Sequence, residues 1–169
     1  MKRIVCMTAF FLWALAAVAQ QSKIPVIIDI ASVEENDTEV LSVFNMPSDG
    51  SDHYYLCVGS LGAGDDVVQL LFDPVSQLFL PLGDSREDAV EKLTELKALF
   101  DEPLGASLEW QGSLSVGFPS EKTEAVKIML KRPIFIKKLQ LSVERNGYIR
   151  ATYLTKSNIG AILTLVKMR

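Results

Sequence analysis

An α+β fold is predicted by three features of this 169-residue chain. Apolar and polar residues alternate in long stretches between Ser107 and Thr155, apolar residues recur at helical spacing between Asp84 and Phe100, and turn-forming residues separate the segments. Alternation sends side chains to opposite faces of a sheet, whereas spacings of three and four gather them on one face of a helix. The expected architecture is a mostly antiparallel curved sheet of about six to eight strands packed on one long amphipathic helix, with a short helix at the C-terminal end.

Taken in order, the chain opens with Lys2 and Arg3, an apolar run from Ile4 to about Ala16 and the small triplet Ala17-Val18-Ala19. That order is a secretory signal with cleavage after Ala19. The run is shorter than the roughly 20 residues a membrane-crossing helix needs. Residues 1–19 are thus expected to be removed, leaving 20–169 as a single α+β domain, secreted or periplasmic and not membrane-spanning. Cys6 precedes the apolar run, where a lipid-attachment cysteine should follow it. Cleavage leaves Cys57 as the one cysteine, so packing and not an internal disulfide must hold the domain together.

Ile24 to Ile30, Tyr54 to Ser60, Val67 to Phe72 and Leu78 to Leu82 read as strands, and Thr38 to Met46 fits a strand or a short helix. Residues 45–53 form a polar loop, and Asp73-Pro74-Val75-Ser76 a tight turn. Ala89, Leu93, Leu96 and Phe100 mark the helix, with Asp84 or Ser85 as N-cap, Glu87 or Asp88 completing a capping box, and Pro103 and Gly105 closing it. A four-stranded meander follows. Its inward positions are Leu108, Trp110, Leu114, Val116 and Phe118, then Val126, Ile128 and Leu130, then Leu139, Leu141 and Val143. Pro119 to Lys122 and Asn146-Gly147 are its turns, the latter suited to a type I′ hairpin. Lys137-Lys138 interrupts the alternation and suggests a bulge or an edge. Ser157 is expected to cap a short helix reaching Val166.

Chemical motifs are few. Gly59, Gly62 and Gly64 lead into Asp65-Asp66 and a β-branched run, so two carboxylates stand where a phosphate would approach and no helix follows. The acidic groups Asp65-Asp66 and Asp49 to Asp52 offer oxygens to calcium, but without the spacing of an EF-hand loop. His53 is the one histidine, which leaves no multi-histidine metal site; it reads as an exposed loop residue, and Cys57 as a small buried side chain. No cofactor and no metal is expected, and no residue is singled out as catalytic.

Residues 20–120 hold 18 acids and 4 bases, whereas 121–169 hold 3 acids and 11 bases. Either the two parts neutralise each other within one fold or the basic end faces an anionic partner. An acidic, exported chain without an aromatic RNA-binding motif argues against nucleic acid. The reading is a non-enzymatic secreted or periplasmic binding or structural module of the bacterial cell envelope, with a protein or glycan partner or assembly with itself. Its candidate interaction face is the polar side of the meander, namely Glu109, Gln111, Lys127, Gln140, Glu144 and Arg150. The alternative is a small ligand carrier or hydrolase, with Tyr54, Phe100 and Trp110 lining a pocket between helix and concave sheet.

Overall fold

The computed structural model describes residues 25–35, 38–48, 50–59, 62–63, 76–145 and 147–168. The expected leader, the pair Asp65-Asp66, the strand expected at 67–72 and most of the turn at 73–76 lie outside them.

Among the described residues nine strands form one antiparallel sheet: β1 Ile28–Glu35, β2 Thr38–Asn45, β3 Tyr54–Val58, β4 Gly62–Ala63, β5 Gln77–Gly83, β6 Ser107–Ser115, β7 Glu124–Lys131, β8 Lys138–Arg145 and β9 Tyr148–Thr155. Their order is β1-β2-β3-β5-β6-β7-β8-β9-β4, the two-residue β4 closing the far end against Ala151 and Arg150. The α+β class and the antiparallel sheet agree with the sequence reading. The expected C-terminal helix is present as well, but packing on one long helix is not borne out: α1, Arg86–Ala98, is matched by an equally long α2, Lys156–Met168, of 13 residues. In α2, Ile159, Ile162, Leu163 and Val166 are buried, a spacing of three and four that gives it an apolar stripe of its own.

The two helices lie side by side on one face of the sheet. α1 packs over β3 and β5, and α2 over β1, β2 and β9. Between them and the sheet lies one core built from Leu41, Val43, Leu56, Leu80, Leu93, Leu96, Ile128, Leu141 and Ile162, all free of solvent contact. Because β1 and β9 stand near opposite ends of the strand order and both reach α2, the sheet curls round the helix pair. A smaller cluster of Phe44, Cys57 and Phe79 sits on the other face, Phe44 stacking on Tyr55 at 5.6 Å and meeting Phe79 edge-on at 5.9 Å.

The start of α1 follows the capping-box expectation. Ser85 Oγ accepts from the Asp88 N–H at 3.0 Å, and Asp88 Oδ2 accepts from the Ser85 N–H at 3.1 Å and the Asp84 N–H at 3.2 Å. These bonds, the one with Ser85 foremost, hold the Asp88 carboxyl below the ordinary carboxylate range. Gly83 sits at φ +122° just before the cap, and a Cβ there would fall 2.4 Å from the Asp88 Cβ.

Several boundaries move. The first strand begins at Ile28, where pairing with Asn45 starts, and not at Ile24. The 38–46 segment is a strand, paired with neighbours on both sides. β1 carries two register shifts against β2, which suits a strand at the end of a sheet order. In the meander, β6 pairs with β7 as far as Gly112 and then crosses to β5 through Ser113, Leu114 and Ser115. The strand ends there, so Val116 and Phe118 are exposed in a turn and not directed inward. Gly112 makes the crossing sterically feasible: a Cβ would lie 2.8 Å from Val126 Cγ2 and 2.9 Å from Leu80 Cδ2. Lys137-Lys138 is neither bulge nor edge. The β7–β8 ladder runs without a shift to Lys131 opposite Lys138, and Lys137 belongs to the connecting loop. In the β8–β9 hairpin Arg145 pairs with Tyr148 and Gly147 stands at φ +79°, while Asn146, the other residue of the expected turn, lies outside the described residues.

Candidate interaction surface

The buried side chains of the meander, Val126, Ile128, Leu139 and Leu141 among them, join the same core as the helices, so register identifies the opposite, outer face. Direct cross-strand partners share a face. Glu109 stands opposite Lys127, Lys127 opposite Ser142, and Ser142 opposite Ala151, forming one row across four strands. The neighbouring row runs Ser107, Met129, Gln140, Tyr153, in which Gln140 Nε2 donates to Tyr153 Oη at 3.1 Å. Gln111 and Glu144 extend the surface in the direction of the β8–β9 turn, where Ile149 is 60 % exposed; Tyr153 is 43 % exposed.

Five of the six residues read from the sequence as one face therefore share it. Arg150 does not. It pairs with Val143, which is buried, and so belongs to the inner side with Val126 and Trp110. The physical reason is the two-residue turn, which sets Arg145 against Tyr148 and puts odd-numbered residues of β9 on the face that takes even-numbered residues of β8.

Tyr54, Phe100 and Trp110 do not converge on one pocket. Phe100 is a core residue in the 3-10 turn Leu99–Asp101 that ends α1. Trp110 is half-buried under α1, with Lys92 Nζ 4.9 Å from its ring centroid. Tyr54 pairs with Asn45 and Gly83 at the opposite end of the helix. An open cleft of about 660 Å³ lies between β5, at Pro81 to Gly83, and the α1 residues Asp88, Glu91, Lys92 and Glu95, and none of the three aromatic residues lines it. Two of its carboxylates are engaged, Asp88 in the helix cap and Glu95 with Lys92 at 3.3 Å.

His53 is less isolated than its sequence context implies. Its Nδ1 lies 2.7 Å from Asp84 Oδ1, and its N–H donates to Asn45 Oδ1, whose own Nδ2 donates to Asp52 Oδ1 at 2.7 Å. Burial, and then the Asp84 charge, push the neighbouring Tyr55 hydroxyl above its ordinary range. The carboxylate orients the imidazole, but among the described residues no nucleophile joins the pair, so its evident work is to tie the loop to the start of α1. Of the three glycines 59, 62 and 64, the Gly59 N–H donates to Val40 O at 3.1 Å just past β3 and Gly62 lies in β4, so neither is part of an anion-binding turn; Gly64 lies outside the described residues. Among the described residues no cluster of His, Cys, Asp and Glu has metal-site geometry, and no helix is long and apolar enough to cross a membrane. Comparison of the chain with protein families, curated proteins and solved structures finds no match.

One surface feature was not legible as such in the sequence. The β7–β8 loop carries Ile134, Phe135 and Ile136, exposed at 86 %, 89 % and 63 %. As a stretch of the run PIFIKKLQL they resemble the beginning of a buried strand. The signals that separate them are Pro133, which cannot donate to a ladder, and the bases on both sides, Lys131-Arg132 and Lys137-Lys138.

Proposed function

We propose that this chain is a secreted or periplasmic, non-enzymatic binding module of the bacterial cell envelope, which contacts a protein or a glycan through the outer face of β6–β9. The carrying observation is that both helices lie on the inner face, leaving an outer surface in which exposed apolar groups, Ile149 and Tyr153, stand among Glu109, Lys127, Gln140 and Glu144. Such a mixture of aromatic, aliphatic and charged groups on a backbone held in register by a ladder suits recognition of another macromolecule. The order of charge, apolar run and small residues at the N-terminus supports export.

The double exchange Glu109→Lys with Lys127→Glu tests this reading. It preserves attraction across the β6–β7 pair and reverses the surface that a partner would meet. The mature chain is screened on an immobilised glycan panel and by cross-linking in intact cells. The parent protein is expected to gain a reproducible glycan or protein partner that the exchanged variant binds at least tenfold more weakly. Equal binding by the two proteins, or no partner for either, would defeat the reading.

A further inference from the structure

The Arg132–Lys137 loop holds three consecutive apolar side chains in solvent although core is close by. Its base is pinned: Lys137 Nζ donates to the Phe100 carbonyl at 2.9 Å, and the ladder closes at Lys131 opposite Lys138. Ile134 occupies the left-handed region at φ 62°, a costly position for a β-branched residue. The loop thus displays Ile134, Phe135 and Ile136 outward on a fixed base. The Pro103–Ala106 turn runs beside the end of β7, the Gly105 N–H donating to Leu130 O at 2.9 Å, which brings Leu104, 50 % exposed, to the same end of the molecule.

Cations gather at the same end. Around the tip stand Lys131, Arg132 and Lys138, and just behind it Lys156 contacts Asp101 at 2.6 Å. The hydrogen bond and charge of Lys156, reinforced by Lys137 and Lys97, hold the Asp101 carboxyl below its ordinary range. The opposite end of α1, roughly 20 Å away by helical rise, carries Asp84, Glu87 and Asp88 with Asp52 nearby. Bases stand at that end too, Arg86 at the start of α1 and Arg145 beside Glu124, so the local feature is the group of cations next to the exposed apolar tip. In a negative surface potential those cations favour the tip facing the surface.

We propose that the β7–β8 tip docks the protein on an anionic lipid surface, with Ile134, Phe135 and Ile136 entering the headgroup–acyl boundary and Lys131, Arg132 and Lys138 meeting the lipid phosphates. A convex apolar tip inside a ring of cations matches a deformable interface that offers hydrocarbon beneath a negative layer. A second copy would need to offer a concave apolar groove rimmed with acid, and the one cleft described, beside α1, is lined by Lys92 as well as carboxylates and is not apolar. Binding is shallow and reversible, and its salt dependence follows from the cations. The inference is independent of the outer-face partner, because the tip lies beyond the end of the ladder.

The test uses the mature chain with vesicles of pure phosphatidylcholine and of phosphatidylcholine containing one quarter phosphatidylglycerol. Cosedimentation is expected with the anionic vesicles, at least tenfold weaker with the neutral ones and weakened again by raised salt. Ile134→Ser with Phe135→Ser is expected to reduce anionic binding at least tenfold with an unchanged melting temperature, since both side chains are solvent-exposed. Phe135→Trp supplies a direct reporter, whose emission shifts to the blue only if the tip enters the bilayer. Absence of binding to anionic vesicles overturns the proposal, as does binding that the serine variant retains. So does a tip-dependent dimer in sedimentation velocity, which would make a second copy the occupant.

Discussion

Arg86 in the first turn of α1 donates its Nε to the carbonyl oxygen of Val166 near the end of α2, across 2.7 Å. At the other end of the pair Lys156, the first residue of α2, contacts Asp101 just past the end of α1. The two helices are therefore antiparallel and tied at both ends. Arg86 also places a cation where the C-terminal carbonyls of α2 lack partners and the helix dipole is negative. Arg86→Ala should lower stability by about 1–2 kcal/mol, with Arg86→Lys recovering part of the loss. Urea denaturation checks this; an unchanged midpoint for Arg86→Ala would show that the tie carries no net stability.

The crossing of β6 from β7 to β5 depends on a missing side chain at Gly112. Gly112→Ala should cost about 1–3 kcal/mol, because Val126, Leu80 and the Phe79 carbonyl close on the site from three directions. The same change at Gly160, where the space is open, serves as the control. Thermal melts of the two variants should differ clearly, with Gly112→Ala the lower.

The helix cap makes stability depend on pH in a defined direction. Ser85→Ala removes the acceptor for the Asp88 N–H and should cost about 1 kcal/mol at neutral pH. The Asp88 carboxyl lies below its unfolded value in the folded state, so its contribution is complete above the ordinary carboxylate range and disappears as pH falls through the depressed folded value. The melting temperature of Asp88→Ala should accordingly trail the parent at pH 7 and converge with it in acid. A gap that persists undiminished in acid would mean that Asp88 acts through packing and not through its charge.

α2 is an integral part of the core and not an appendage. Ile162 is free of solvent contact and lies within the same cluster as Leu93 and Leu141. Ile162→Ala should cost about 2–5 kcal/mol, comparable to Leu93→Ala in α1. Chemical denaturation should show both variants unfolding in one transition. A separate early transition for Ile162→Ala would make α2 an independent layer.

The residues that legibly declared themselves did so through short-range interactions. Ser85 and Asp88 cap a helix because their side chains reach backbone groups three residues away. Val126, Ile128 and Leu130 alternate because a strand repeats every second residue, and they are buried as that alternation predicts. Gly147 takes a positive φ for an equally local reason, the absence of a side chain. The weight of α2 is less legible, because Gly160 and Thr164 weaken its helical signal and its apolar stripe becomes decisive only where β1 and β2 meet it.

What the sequence by itself determined is the class, the ladder of the last four strands and the capped helix, since each follows from chain neighbours a few residues apart. The tertiary structure alone decided which side of the sheet the helices cover, that β6 serves two partners, and that Ile134 to Ile136 stand in solvent. An apolar run has the same pattern whether or not another element arrives to cover it, and that arrival depends on contacts between residues far apart in the chain.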